Sequence, residues 1–170
     1  MVGQCLLKRV GDPKLWRKFH GRYWSGRFNG RILQFLFPDT FMNDSGRSVS
    51  KAINGLGLNP DRLVLVHDDI DLAFGTLRIR LGGASGGHLG LRSVIDELGT
   101  GEFIRVKLGV GRPLQGMDPA EFVVSEFDAH EESVIAELIV LAANAVIELT
   151  YESLDQVMSR HSGRSLASCD

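Results

Sequence analysis

Three carboxylates fall within four residues in the segment His67-Asp68-Asp69-Ile70-Asp71. They follow the apolar run Leu63–Val66, where a carboxylate is poorly solvated unless it meets a cation, a metal ion or a hydrogen-bond donor. One interpretation is a carboxylate that orients and polarises a histidine acting as general base. A second is a Mg²⁺ site. A third is that the acids cap the next turn and accept hydrogen bonds from backbone amides.

A second segment, Gly82–Gly90, contains five glycines in nine residues. Glycines let backbone amides come close to an anion or a carbonyl, above all where a helix begins. The segment lacks the Gly-Lys-Ser/Thr of a P-loop and the spacing of a dinucleotide-binding loop, so we do not expect it to bind a nucleotide. A phosphate or the carbonyl of a bulky substrate suits it better, and the alternative is a tight turn. His88, taken alone, would be a structural or exposed histidine.

The third segment, Phe41-Met42-Asn43, stands where a helix is predicted to begin. Asn43 could cap that helix, or it could present its amide to a substrate carbonyl or a water molecule, as ester or amide hydrolysis requires. Phe41 and Met42 could offer an apolar or stacking surface to a base or a ribose.

The pattern of apolar residues predicts an α/β fold in which these segments follow strands. We expect one three-layer domain, with a mostly parallel or mixed sheet flanked by helices, over residues 1–158, and a flexible tail over 159–170. Since ligands bind beyond the carboxyl ends of strands in such sheets, the three segments should meet there. The predicted strands are Arg31–Phe37, Leu63–Val66, Thr76–Leu81 and Phe103–Val110. The predicted helices are Thr40–Leu56, Leu91–Leu98, Pro119–Phe122 and Glu131–Tyr151, the last capped by Asp128. The remaining N-terminal residues predict a helix end and a turn over Leu6–Trp16, and a hairpin over Phe19–Gly30.

Composition limits the class of protein. The chain has 170 residues, enough for one hydrophobic core, and none of its apolar runs has the roughly 18–20 residues of a membrane span. The two cysteines, Cys5 and Cys169, are expected to be free thiols in a reducing compartment, so the cytoplasm is the predicted location. Residues 1–60 carry ten Lys or Arg against three Asp, and residues 113–159 carry ten acids and no Lys or Arg. This asymmetry suits a polyanionic partner, although two solvated faces would account for it as well.

Four ordered motifs resemble the bacterial-type peptidyl-tRNA hydrolases. They are Phe-Met-Asn-x-Ser-Gly (Phe41–Gly46), His-Asp-Asp-Ile-Asp-Leu-x-Phe-Gly (His67–Gly75), Arg-Leu-Gly-Gly-x-x-Gly-Gly-His-x-Gly-Leu-Arg-Ser (Arg80–Ser93) and Leu-Gly-Val-Gly-Arg-Pro (Leu108–Pro113). The resemblance runs from about Leu6 to Tyr151.

The resemblance implies hydrolysis of the ester between a peptide, or an N-blocked aminoacyl group, and the 3′-terminal ribose of tRNA, without a metal or nucleotide cofactor. It implies that Asp68 stabilises the catalytic histidine and that Asn43 contacts substrate and helps to place the attacking water. Phe41, Met42 and His88, with Gly86 and Gly87 beside it, would line the channel for the peptide and the 3′ end. The expected partner is peptidyl-tRNA, and the expected state is a monomer without a membrane or metal partner.

The chain also departs from the family pattern in two places. The family's catalytic histidine belongs to a Thr-Arg-His-Asn segment that follows a first strand and a Gly-Asn-Pro-Gly loop, and none of these is in the chain. His20 matches a later, non-catalytic stretch. We therefore expect the N-terminal strand to be missing and activity to be low. The second departure is Leu89, where the family usually has an asparagine.

Two other functions stay open on the sequence alone. One is a catalytically inactive RNA-binding or interaction module on the same scaffold, which Leu89 and the absent histidine segment favour. The other is a Mg²⁺-dependent hydrolase that uses Asp68, Asp69 and Asp71.

Overall fold

The computed structural model describes residues 1–113 and 116–166, so Cys169 lies outside the described residues. The contacts divide the chain into two compact units. The first holds Met1–Val2, Val64–Arg80 and the described residues from Arg105 onward, and the second holds Gly3–Leu63 and Leu81–Ile104. Each unit contains both helices and strands, and the predicted α/β class is confirmed.

The helices and strands have the following bounds within the described residues. The helices are α1 (Val2–Leu7), α2 (Ser45–Leu56), α3 (Leu89–Leu98), α4 (Pro119–Phe122), α5 (Ala129–Glu148) and α6 (Leu154–His161). The strands are β1 (Gly11–Lys18), β2 (Gly21–Phe28), β3 (Arg31–Pro38), β4 (Val64–Asp69), β5 (Thr76–Leu81), β6 (Ile104–Gly109) and β7 (Arg164–Ser165). None of the described helices is both long and apolar enough to cross a membrane.

The second unit contains an antiparallel sheet in the order β1-β2-β3, which corrects two predictions. Residues predicted as a turn after Leu6 form β1, whose register is irregular between Gly11 and Lys14. Pro13 explains the error, because proline signals a turn in sequence but is tolerated on an edge strand at a bulge.

The predicted hairpin over Phe19–Gly30 is instead one strand, β2, with a two-residue turn at each end. Phe19 and His20 join β1 to β2 with φ of 59° and 54°, and Asn29 and Gly30 join β2 to β3 with φ of 47° and 78°. Positive φ at both residues is the signature of the tight turns that match strand twist. The pair Asn-Gly predicts such a turn from sequence, whereas the pair Phe-His does not.

The first unit contains most of a four-stranded sheet in the order β4-β6-β5-β7. The N–H of Ile104 donates to the carbonyl of Leu63 at 3.1 Å, and that of Val110 donates to Asp69 at 3.2 Å. The donor and acceptor residue numbers rise together from the first bond to the second, so β4 and β6 are parallel. Among the described strands, β4 lies at one edge of this sheet, and it is half-buried along its whole length.

Strand β5 runs the other way. The N–H of Gly82 donates to the Phe103 carbonyl and that of Gly75 donates to the Gly109 carbonyl, both at 3.0 Å. The donor residue number rises while the acceptor residue number falls, so β5 and β6 are antiparallel. Strand β7 is antiparallel to β5 as well. The sheet is therefore mixed, with one parallel pairing among those described. Because β5 is reversed, the rule for the carboxyl ends of parallel strands does not apply to Gly82–Gly90, and the expected meeting of the three segments stays a prediction.

The end of the described chain is more ordered than predicted. Asp128 and Glu131 form a capping box at the start of α5, as the sequence indicated for Asp128. Residues predicted to belong to a flexible tail complete α6 and form β7, which pairs with Thr76 and Leu77. The Ser162 hydroxyl adds a hydrogen bond with Ile79. The domain boundary at residue 158 stays a prediction.

Glu148, at the end of α5, joins two residues of α6. Its carboxylate accepts a hydrogen bond from Arg160 and lies 2.8 Å from Nε2 of His161, whose side chain is 4% exposed. Burial opposes ionisation of Glu148, but the bonds and charges of His161 and Arg160 outweigh it and hold its pKa below the ordinary value of 4.5.

Replacing Glu148 with glutamine should lower the free energy of unfolding by about 2 kcal/mol at pH 7, since it removes a charged hydrogen-bond partner. A depressed carboxylate pKa stabilises the fold above pH 4.5, and that contribution is lost as the pH falls below it. Denaturant unfolding of parent and variant at pH 7 and pH 4 should show a difference that shrinks at pH 4. Glu137→Gln, at an exposed site on α5, is the control, and a similar loss there would contradict the assignment.

Candidate active site

Asn43 lies in a 3-10 turn, Met42–Asp44, that leads directly into α2. The backbone caps are Phe41 for the turn and Asp44 for α2, and neither contributes a side-chain cap. Asn43 therefore does not cap the helix, which was the alternative to a substrate-binding role. Its side chain is exposed and makes no hydrogen bond to the part of the chain that the structure describes. The amide is available to a ligand.

Three large apolar side chains are exposed where α2 and α3 begin. Phe41 is 85% exposed, Met42 56% and Leu89 50%. Burying such side chains would gain about 25 cal/mol per Å² of apolar surface removed from water. Their exposure indicates a surface for a ligand with an apolar or aromatic part.

His88 is the N-cap of α3. Its Nδ1 accepts a hydrogen bond from the N–H of Leu91 at 3.1 Å, so this nitrogen carries no proton in the capped state. The bond fixes the ring beside the exposed residues at the helix start. His88 therefore has a structural role through its Nδ1 atom. The rest of its ring can still line a channel.

The starts of α2 and α3 lie against each other at two glycines. The N–H of Gly46 donates to the Ser93 hydroxyl at 2.9 Å, and a Cβ on Gly46 would lie 2.0 Å from the Ser93 carbonyl oxygen. A Cβ on Gly90 would lie 2.6 Å from Sδ of Met42 and 3.0 Å from the His88 ring. The structure thus brings Met42 and His88 together, two of the predicted site residues. Gly46 and Ser93 make this approach possible; they end two of the motifs noted in the sequence, which assigned them no role.

The glycine-rich segment needs its glycines for backbone geometry. Gly82, Gly83, Gly86 and Gly87 all have positive φ, between 58° and 113°. L-residues with a side chain adopt such angles at a cost of about 1–2 kcal/mol each. Gly86 and Gly87 are exposed in the turn before His88.

A groove of about 440 Å³ adjoins this segment. Its charged lining residues are Arg92, Asp96 and Glu102, which give it two carboxylates and one guanidinium. This charge disfavours the phosphate that the glycine pattern allowed, and leaves the carbonyl of a bulky substrate and the tight turn as interpretations of the segment.

Asp69 has a cation and a backbone amide as its partners. Asp69 is 12% exposed, and its carboxylate lies 2.5 Å from Nζ of Lys107 and accepts from the Asp71 N–H at 2.9 Å. Burial raises the pKa of Asp69, but these two hydrogen bonds and the Lys107 charge outweigh it and hold the pKa below its ordinary value of 3.8. Asp69 is therefore a structural carboxylate, as the third interpretation of the acidic segment proposed.

Lys107 was not singled out in the sequence. The available signal was a lysine within the alternating apolar residues of β6, opposite a strand that ends in carboxylates.

Asp71 forms an exposed ion pair with Arg112, at 2.7 Å. Nδ1 of His67 lies 2.6 Å from the Asp68 carbonyl oxygen. His67–Asp69 form the last residues of β4, whereas the predicted strand ended at Val66. No three His, Cys, Asp or Glu side chains of the described residues are grouped to hold a metal ion, and two of the three carboxylates already have cation partners. This geometry does not favour the Mg²⁺ interpretation.

Comparison with known proteins gives a consistent family match. A family model described as peptidyl-tRNA hydrolase matches residues 1–168. A relative named peptidyl-tRNA hydrolase from Syntrophotalea carbinolica is 36% identical, over 96% of this chain and 86% of its own length. One from Geobacter metallireducens is 38% identical, over 96% of this chain and 84% of its own.

Comparison with solved structures finds the same family. A crystal structure of peptidyl-tRNA hydrolase from Acinetobacter baumannii matches with a TM-score of 0.90 and 27% identity, over 98% of this chain and 85% of that one. The expected absence of an N-terminal strand and histidine segment finds no support in these comparisons.

Proposed function

The chain belongs to the peptidyl-tRNA hydrolase family, and from this premise we propose that it hydrolyses the ester linking a peptide or N-blocked aminoacyl group to tRNA. The observation that carries the proposal is the junction of α2 and α3. There the exposed Asn43 amide stands beside a surface of Phe41, Met42 and Leu89, next to the His88 ring. This combination offers a hydrogen-bonding group for an ester and apolar surface for a side chain or a base.

The proposed reaction requires one water molecule and a base. The base removes a proton from the water, whose oxygen attacks the ester carbonyl carbon. The bond from that carbon to the ribose oxygen then breaks, and the ribose oxygen takes up a proton. The products are a peptide carboxylate and a tRNA with a free terminal ribose.

We assign two catalytic roles on the family resemblance. Asp68 would orient the base and stabilise it once it is protonated. Asn43 would hold the attacking water and the carbonyl, which is the kind of polar positioning that lowers the barrier most when the site is preorganised.

The remaining assigned residues bind substrate. Phe41 and Met42 would contact the apolar parts of the peptide or the terminal base. Gly86 and Gly87 would let the substrate approach the backbone before α3, and the capped His88 ring would form part of the channel wall.

The test is hydrolysis of an N-acetyl-aminoacyl-tRNA by the purified chain, followed by the release of deacylated tRNA. The same tRNA carrying an unblocked aminoacyl group is the matched control substrate. Release from the blocked substrate alone is the expected result, and no release above the uncatalysed rate would overturn the proposal. Activity that EDTA abolishes would point instead to the metal-dependent alternative.

The inactive RNA-binding module is not favoured, because the relatives are named as hydrolases. We propose further that the protein works in the cytoplasm as a monomer, without a metal or cofactor. Size-exclusion chromatography with light scattering would test the monomer.

A further inference from the structure

A basic groove of about 610 Å³ lies in the second unit, between the β1–β2 turn and α2. Nothing in the proposed reaction uses it. Its lining residues are Arg17, Lys18, Phe19, His20, Gly21, Asp39, Thr40 and Lys51.

The turn at the groove is held in an unfavourable conformation. Phe19 and His20 both have positive φ, which costs a residue with a side chain about 1–2 kcal/mol. The fully buried Ser48 donates from its hydroxyl to the Phe19 carbonyl at 2.5 Å, and the Phe19 ring packs edge-on against Tyr23. These contacts hold the turn in place at one end of the groove.

The charges around the groove are mostly positive. Asp39 is the one carboxylate among the lining residues, and it faces Arg22 at 3.2 Å and Arg17 at 4.0 Å. Counting Arg22 with the lining residues Arg17, Lys18 and Lys51 gives four cations against one anion. Arg17 is 84% exposed at its side chain, so its charge is directed to solvent or to a ligand.

Lys51 and His20 add hydrogen-bond donors to the groove. Nζ of Lys51 lies 2.6 Å from Nε2 of His20. The ammonium can only donate, so Nε2 accepts and the ring carries its hydrogen on Nδ1. The pair therefore offers an ammonium and an imidazole N–H to an acceptor.

Thr40 supplies a further observation. Its Oγ1 is buried at the groove and has no hydrogen-bond partner among residues 1–113 and 116–166. A buried hydroxyl without a partner costs about 1–3 kcal/mol. An oxygen of a bound anion would satisfy it once the side chain rotates to bring the hydroxyl into the groove.

We propose that this groove binds backbone phosphates of the tRNA substrate, away from the ester. Phosphate is the anion that matches several exposed cations with hydroxyl and N–H donors. Base recognition does not fit, because the ring of Phe19 is engaged by Tyr23 on its edge and by Lys18 at 4.6 Å from its centroid. The proposal rests on the proposed function for the identity of the RNA.

Binding of deacylated tRNA, measured by fluorescence anisotropy between 50 and 200 mM salt, tests the groove without requiring hydrolysis. The Arg17→Gln, Lys51→Gln double variant should weaken binding about ten-fold near 100 mM salt and reduce the salt slope by about 2. The matched control is Arg27→Gln, Arg31→Gln, exposed residues of β2 and β3 beside the turn that joins them, which should change the slope much less. Equal losses in both pairs, or no loss in the groove pair, would overturn the proposal.

Two further measurements distinguish a phosphate site from a groove that only supports the fold or the ester site. Thr40→Val removes the hydroxyl and keeps the shape, so it should weaken tRNA binding about three-fold or more with no fall in melting temperature. An N-acetyl-aminoacyl trinucleotide, which lacks the tRNA body, should be hydrolysed equally by the parent and the double variant. If the parent hydrolyses neither substrate, the proposed function fails while the binding data still decide the groove. If Thr40→Val binds tRNA as the parent does, the assigned role of its hydroxyl is wrong.

Discussion

Hydrolysis of an N-blocked aminoacyl-tRNA is expected to slow by about 10²–10³-fold in kcat when Asp68 is replaced by asparagine. The amide keeps the shape of the carboxylate but loses the charge that would hold the base in position and stabilise its protonated form. KM should change by less than about three-fold, because the proposed role concerns the transition state more than ground-state binding. Steady-state rates over a range of substrate concentrations give both constants.

Asp71→Asn is the matched control for this variant. Asp71 lies three residues further on and pairs with Arg112 at an exposed position, so its loss should have little effect on rate. Thermal unfolding of both variants shows whether the fold is intact. Equal losses in kcat and in substrate affinity, or a large fall in melting temperature for Asp68→Asn, would make Asp68 a structural residue.

Substituting alanine for Gly46 should lower the free energy of unfolding by about 2–3 kcal/mol and also impair hydrolysis. The new Cβ would lie 2.0 Å from the Ser93 carbonyl oxygen and 2.8 Å from the Val94 nitrogen, so backbone atoms must move apart. Separating α2 from α3 would displace Met42 from His88. For a chain of this length, the melting temperature should fall by about 5–10 °C.

The control for this substitution is Asn54→Ala, at an exposed position of α2. It should change stability by less than about 0.5 kcal/mol, because alanine is a good helix former and no buried contact is lost. Circular dichroism melts and the hydrolysis assay would be applied to both variants. An unchanged melting temperature for Gly46→Ala would show that the two helices can separate at no cost, contrary to the close packing described.

Local patterns in the sequence predicted much of the fold. Strict alternation in Thr76–Leu81 identified β5, and Asp128 with Glu131 marked the start of α5, since each signal comes from neighbouring residues. Strand β1 was missed because Pro13 indicates a turn in the sequence. Strand β2 was mistaken for a hairpin because Phe19-His20 is an unusual pair for a tight turn. In these cases tertiary packing overrides local preference, as the Ser48 bond to Phe19 illustrates.

For the candidate site, too, local motifs predicted residues but not the packing that brings them together. Sequence motifs identified Phe41–Asn43 and His88, but not how they come together, because that depends on Gly46 and Ser93, which are 47 residues apart. The pairing of Asp69 with Lys107 across 38 residues is likewise invisible to local spacing. The pairing with Lys107 makes Asp69 a structural residue, whereas the proposal assigns a catalytic role to Asp68.

The short strand β7 has a consequence for self-association. It covers Thr76 and Leu77 on β5 with two residues, one of them Arg164, and the N–H of Leu166 adds a bond to the Gly75 carbonyl. An uncovered β5 would present a row of free backbone groups to a second copy of the chain, the usual start of edge-to-edge aggregation. A two-residue strand with an exposed arginine is a poor template for further pairing. This side of the sheet is thereby protected at the high concentrations that cells and purification impose.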